Sequence, residues 1–239
     1  NIVIKKSNKY QQNSNWTNFV SNSKVSSFEL STEVFSWLKK ACNEAKQKGN
    51  KANKHLLGHM KEEYHLAAST QQINQTKKWK EIQFVKMNKD FLKFLLQSAS
   101  SKSLSQDLLN VTCLSEDKPL YLHSLWVNYM KKHEFSPPHT HSGVLSFIIF
   151  VKIPYDLKKE EKKFVMDHEY GYNFCTHTSK LAFLNTSSNG KIFIDCVNVD
   201  KSFEGKMLMF PSAQMHQVFP FYTNNGYRIT VSGNIRLKV

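Results

Sequence analysis

The feature that most constrains this chain is a change of hydrophobic period partway along it. Upstream of a serine-rich break, SASSKSLSQ at Ser98 to Gln106, apolar residues recur at helical spacing; downstream the texture alternates in twos. Ser31 reads as an N-cap with Glu33 in the first turn, and Val34, Phe35, Leu38, Ala41, Cys42 and Ala45 follow on one stripe until Gly49 stops the helix. A second short helix is expected over residues 55–66. A third is expected from about residue 78 to 98, with Ile82, Val85, Leu92, Leu95 and Leu96 on its stripe, widened by Phe84, Phe91 and Phe94. Beyond the break, strands are expected at 120–129, 145–153, 191–198, 206–210, 217–221 and 227–237, separated by Gly, Pro, Asn and Ser. Many short strands with turns between them predict a sandwich or barrel, and helices with one apolar stripe each must bury it on the outside of a sheet. The expected class is α+β, mainly β. Residues 1–239 read as a single domain, with helical support over 1–106 and an antiparallel double-stranded barrel over 107–239.

Composition narrows the function classes. A chain of 239 residues, 40% of them apolar, can bury a substantial core, which excludes disorder and a disulfide mini-scaffold. The longest uninterrupted apolar run, Phe147 to Val151, is far short of the roughly 20 residues of a spanning helix, so no membrane partner is expected. The opening NIVIKKSNKYQQNSNW holds no apolar stretch of signal-peptide length. Cys42, Cys113, Cys175 and Cys196 form no CxxC pair, which argues against a zinc knuckle and for reduced thiols in a cytoplasmic protein. The net charge of +14 favours anionic partners, yet only Arg228 and Arg236 among the 33 basic residues are arginine. Base recognition prefers the planar guanidinium fork, so this basicity reads as a lysine-rich surface and not as a nucleic-acid reading face.

Three stretches carry chemistry. In WVNYMKKHEFSPPHTHSGVLSFIIFVKIP, Pro137 and Pro138 hold the chain extended, so His139 and His141 project from one face and make half a metal site. In GKMLMFPSAQMHQVFPF, His216 heads a strand that a barrel could bring beside them. First-row transition metals, iron among them, accept such ligands and keep positions open. In YRITVSGNIRL, Arg228, Thr230, Ser232 and Asn234 alternate with Ile229, Val231 and Ile235. If the apolar side packs under the helices, a guanidinium faces the barrel interior, where leaving it unpaired would cost several kcal/mol. A dicarboxylate ligand could supply its partner through a two-pronged pair, helped by the Thr230 hydroxyl.

Together, WVNYMKKHEFSPPHTHSG, GKMLMFPSAQMH and YRITVSGN resemble the 2-oxoglutarate and Fe(II)-dependent oxygenases that recur in phage and marine environmental sequences. NKHLLGHMKEEYHL is similar to that group's N-terminal pattern, so the resemblance spans most of residues 50–239. It implies a jelly-roll, cupin-like double-stranded β-helix and a hydroxylase that converts 2-oxoglutarate to succinate and CO2. It further implies His139 and His216 as iron ligands, and Arg228 with Thr230 as the clamp on the distal carboxylate of the cosubstrate. Tyr129 is a weaker candidate for a cosubstrate hydrogen bond.

One position departs from that pattern, because His141 stands where a carboxylate ligand is expected. The alternatives are a three-histidine site of His139, His141 and His216, a two-histidine site completed by an outside ligand, or a carboxylate recruited from Asp167 or Asp195. The departure also motivates a rival reading, a non-catalytic or 2-oxoglutarate-independent cupin-like metal-binding barrel. His55, His59, His65, His123 and His133 read as structural residues, and the four tryptophans as core anchors. The stretch from Tyr155 to Gly190, with His168 and His177, reads as a long connection that could cover the site, its DLKKEEKKF segment a solvated face.

Overall fold

The computed structural model describes residues 25–69, 81–101, 119–163 and 177–238. Eight strands make the barrel: β4 (Leu120–Met130), β5 (Ser136–His139), β6 (Leu145–Lys152), β7 (Leu181–Thr186), β8 (Ile192–Val197), β9 (Lys206–Pro211), β10 (His216–Val218) and β11 (Arg228–Leu237). The larger sheet holds β9-β6-β11-β4 at its centre and the smaller one is β5-β10-β7-β8. Read along the chain, strands cross repeatedly from one sheet to the other, which is the double-stranded β-helix, or jelly roll. All pairings are antiparallel.

The N-terminal part supplies more than helices. Strand β1 (Ser26–Glu29) extends the larger sheet beside β9, and β2 (Glu63–Ser69) with β3 (Glu81–Gln83) extends it beside β4. The helix expected over 55–66 is therefore corrected to a single 3-10 turn, Asn53–His55, followed by β2. That strand is buried along Glu63 to Ala68, so it shows no period of two, and its unbroken run mimicked a helix. The third helix is shorter than expected. Its first part holds β3, and the helix starts only after Asn88, whose side chain accepts from the amides of Asp90 and Phe91. Residues 70–80 lie outside the described residues, as do Trp16, Trp79, Cys113 and Cys175.

Helix α1 (Thr32–Lys48) forms as its caps dictate, with Ser31 accepting from the Val34 amide and Gly49 closing the end at φ 70°. It packs on β2 and β6, and α2 (Lys89–Ala99) packs on β4. Their stripes, among them Leu38, Ala41, Cys42, Phe91 and Leu95, share one core with Val231 and Ile235 of β11 and Val127 and Tyr129 of β4. A second core, with Phe150, Phe183, Phe210 and Phe221, fills part of the space between the sheets. The apolar face of β11 thus lies under the helices and its polar face is turned inward.

The segment after β6 departs from expectation. DLKKEEKKF contains helix α3 (Leu157–Lys163), whose Glu160 is fully buried and not solvated. Its carboxylate accepts from the Tyr222 amide at 2.9 Å and the Thr223 amide at 2.7 Å, tying down the turn before β11. Strand β7 was missed because LAFLNT is short and carries no alternation. His177 stacks on Phe219 with ring centroids 5.2 Å apart, while residues 164–176, with Asp167, His168 and the proposed cover, lie outside the described residues.

Gly233 of β11 sits between β4 and β6, paired with Leu125 and Phe147. A methyl group there would come within 2.6 Å of the Ser124 carbonyl oxygen and 2.5 Å of the Phe147 ring. Backbone cannot yield as a flexible side chain does, so Gly233→Ala is expected to cost about 1–3 kcal/mol, read as a lowered midpoint in thermal or urea denaturation.

Candidate metal centre and its cavity

The pairing of β10 with β5 sets His216 directly opposite His139, and residues so paired share a face. The prolines before His139 are tolerated because β5 is an edge strand. His141 lies just beyond β5, where its amide donates to the Ser212 carbonyl at 2.9 Å and fixes the turn. The ligand nitrogens of His139, His141 and His216 all lie within 4.8 Å of one another. No carboxylate joins this cluster among the described residues; Asp195 instead accepts from Asn185 at 2.8 Å.

The second partners of these rings decide which nitrogen is free. His139 Nδ1 donates to the Pro137 carbonyl at 2.7 Å and His216 Nδ1 to the Gln214 carbonyl at 2.9 Å. Each Nε2 then keeps a bare lone pair, the form in which imidazole binds a metal. The Nε2 atoms of His141 and His216 are 3.2 Å apart. Burial, and the charge each protonated ring would impose on its neighbours, push His141 down to about 3 and His216 down to about 4, and burial lowers His139 as well. The three rings are neutral at physiological pH and ready to bind.

A cavity of about 210 Å³ opens from the histidines to the inward face of β11, lined by Arg228, Thr230, Ser232 and Asn234. Arg228 is 1% exposed. Its Nη1 donates to the Ser179 carbonyl at 2.9 Å, while Nε and Nη2 are buried without any partner. Thr230 accepts from Asn128 Nδ2 at 3.2 Å, which leaves its own proton available to an acceptor in the cavity. The cavity therefore offers unsatisfied donors at one end and metal-binding lone pairs at another.

Tyr129 requires a correction. It faces the helices, with its hydroxyl 3.4 Å from Asn43 and its ring edge-on to Tyr64 and Tyr227, so it cannot reach the cavity. Its neighbours Trp126, Asn128 and Met130 line the cavity instead. The alternation of WVNYM mixes polar and apolar residues on both faces, so polarity alone could not assign the inward set. Pairing of Asn128 with Thr230 would have done so. Trp126 is consequently more than a core anchor, its ring centroid 5.8 Å from that of His141.

Residues 124–234 match the family model described as "Putative 2OG-Fe(II) oxygenase". Among solved structures, the chain is similar to a Pseudomonas putida prolyl-4-hydroxylase at 10% identity, covering 93% of this chain and 97% of that one, with a TM-score of 0.49. It is also similar to a 2OG-Fe(II) oxygenase family oxidoreductase from Burkholderia pseudomallei at 7% identity, covering 92% and 88%, with a TM-score of 0.49. A third is a prolyl hydroxylase from Trichoplax adhaerens, in complex with a hypoxia inducible factor oxygen degradation domain peptide fragment. It shows 13% identity, coverage of 91% and 86%, and a TM-score of 0.43. No curated protein matches the chain.

The buried neutral histidines predict how the metal-free chain responds to acid. His65 and His123 are also pushed down to about 4, mainly by burial. Unfolding raises all of these rings toward the ordinary value near 6.5, so the unfolded chain binds more protons and stability falls as pH drops below it. Between pH 6.5 and about 4, His65, His123, His141 and His216 each contribute a slope of about 1.4 kcal/mol per pH unit. Urea denaturation across this range is expected to show a falling midpoint, and His65→Phe a shallower fall.

Proposed function

We propose that this chain, whose residues 124–234 match the 2OG-Fe(II) oxygenase family model, hydroxylates an organic substrate using Fe(II), O2 and 2-oxoglutarate. The observation that carries this reading is the buried guanidinium of Arg228, with two unpartnered nitrogens, in one cavity with the three-histidine cluster. A cationic group buried at such a cost calls for an anion that fits between it and the metal. 2-Oxoglutarate has that form, with an oxoacid end for the metal and a distal carboxylate for Arg228.

His139, His141 and His216 would hold the iron, and their arrangement fits it: neutral rings, two of them oriented by Nδ1–H bonds to backbone carbonyls. Bound Fe(II) supplies the activation of O2, and the oxidative decarboxylation of 2-oxoglutarate to succinate and CO2 provides the two electrons that balance the reaction. Arg228 would grip the distal carboxylate through Nε and Nη2. Thr230 would donate its hydroxyl proton to the same carboxylate, since its oxygen already accepts from Asn128. Met130, Ile148, Leu181 and Phe210 wall the cavity with apolar surface and exclude water. The buried thiol of Cys42 fits a cytoplasmic protein, and among the described residues no helix is long and apolar enough to cross a membrane. The shortage of arginine disfavours nucleic acid as the primary substrate.

The presence of His141 in place of a carboxylate supports one rival, a metal-binding barrel without 2-oxoglutarate chemistry. Anaerobic titration with Fe(II) and 2-oxoglutarate separates the two. A chelate absorption band followed by succinate on admitting air carries the oxygenase; a folded, metal-loaded chain that gives neither carries the rival.

Arg228→Met splits affinity from stability. Removing the charged partner is expected to weaken 2-oxoglutarate binding by about 2–5 kcal/mol, roughly 30-fold or more. The ligand-free variant is expected to melt higher than the parent, because a buried unpaired charge has gone. Calorimetric binding and thermal melting on the same samples test both.

A further inference from the structure

The cavity has a second charged wall, opposite in polarity to Arg228. Glu63 is 1% exposed and lines the same cavity. It pairs in register with Asn128 across β2 and β4, and Asn128 pairs with Thr230 across β4 and β11. Directly paired antiparallel residues share a face, so Glu63, Asn128 and Thr230 form one row across the larger sheet. Gly58 lets the Glu63 carboxyl approach its loop, where a methyl group would meet Oε1 at 2.8 Å.

This wall is short of donors. Asn128 donates through Nδ2 to Thr230 at 3.2 Å and Ser232 at 3.4 Å, while its buried Oδ1 has no partner. Glu63 accepts one hydrogen bond, from Asn53 Nδ2 at 3.1 Å, and among the described residues no cation pairs with it. Burial, together with the nearby Glu134 charge, pushes its carboxyl up to about 7. 2-Oxoglutarate cannot answer this wall, because it carries only acceptors. Arg228 requires an anion; the Asn128 oxygen requires an N–H or O–H donor, and an ionised Glu63 beside it favours a donor that carries positive charge, which 2-oxoglutarate does not supply.

We propose that Glu63 and Asn128 form the primary-substrate subsite, and that the substrate carries a cationic nitrogen group, an amine or guanidinium, whose N–H donors meet the Glu63 carboxylate and Asn128 Oδ1. The identification of this ligand as the substrate rests on Arg228 being the seat of the cosubstrate. The alkyl stem behind the cation would lie along Leu56 and Leu57 at the cavity wall, where Leu57 is 66% exposed. The net charge of +14 repels a cation at long range, but salt screens that field beyond roughly 8–10 Å, leaving the local carboxylate to decide binding.

The test titrates the full chain with butylammonium, butylguanidinium and neutral pentanol by ligand-observed NMR. Either cation binding at least 10-fold tighter than pentanol, with that preference lost in Glu63→Gln, supports the subsite, and the tighter of the two names the head group. Asn128→Asp keeps the test independent of how well the first variant folds: it adds a carboxylate to the same row and is expected to tighten cation binding at least 5-fold. Equal binding of all three probes, a preference retained in E63Q, or no tightening in N128D overturns the subsite. 2-Oxoglutarate titrated separately reports on Arg228. A chain that binds the cations but not the diacid keeps this subsite and loses the cosubstrate reading, and the reverse result overturns only the subsite.

Discussion

Burying polar side chains between two sheets is the constraint that governs this barrel. A buried polar group without a partner costs on the order of 1–3 kcal/mol, and a buried charge more. Most of the interior meets that demand internally. Ser146 bridges Ser212 at 2.8 Å and Asn234 at 2.9 Å, and Asn234 passes the chain on to Ser124 at 3.2 Å. These bonds close off the inner end of β11 behind the histidines. Among the buried polar atoms that lack a hydrogen bond, Arg228 Nε and Nη2 and the carbonyl oxygen of Asn128 belong to residues that line the cavity. Satisfied groups build the scaffold, and Arg228 and Asn128 offer a ligand hydrogen bonds that the scaffold leaves unmade.

How much of this was legible in the residues depends on whether a face had a distinct chemistry. On β11, Arg-x-Thr-x-Ser-x-Asn alternates against Ile, Val and Ile, so the inward face could be read directly. His139 and His141 were legible because two prolines force an extended chain ahead of them. On β4 both faces are buried and mixed, which placed Tyr129 in the cavity when it belongs to the helix-side core. Burial on both faces also hid β2 as a helix, and with it Glu63, which lies within NKHLLGHMKEEYHL but whose place at the cavity becomes visible only through its pairing with Asn128. Long-range register carries that information, and a single chain read in order does not contain it in any local pattern.

The histidine at position 141 would bear on the electrostatics of a metal held by this cluster. A neutral imidazole in place of a carboxylate would leave a bound metal with one more unit of positive charge. Burial above all, and then the charge that each protonated ring would impose on its neighbours, lowers the proton affinities of His141 and His216. An anionic chelating cosubstrate would neutralise such a centre, and on the proposed reading Arg228 would favour the same dianion. Two positive poles separated by one cavity select for length as well as charge, because a monoanion can satisfy only one of them.

The two walls of the cavity also bear on orientation. Glu63, Asn128 and Thr230 lie in one row across adjacent strands, each step about 4.8 Å. The anion-seeking and cation-seeking ends of that row are thus about two strand spacings apart, near enough that each ligand shapes the field felt by the other. A diacid held by Arg228 and Thr230 places negative charge beside Asn128, which raises the affinity of the row for a cation. Binding of the first ligand would then favour the second without any movement of the backbone, an ordering that follows from fixed charges on a rigid sheet.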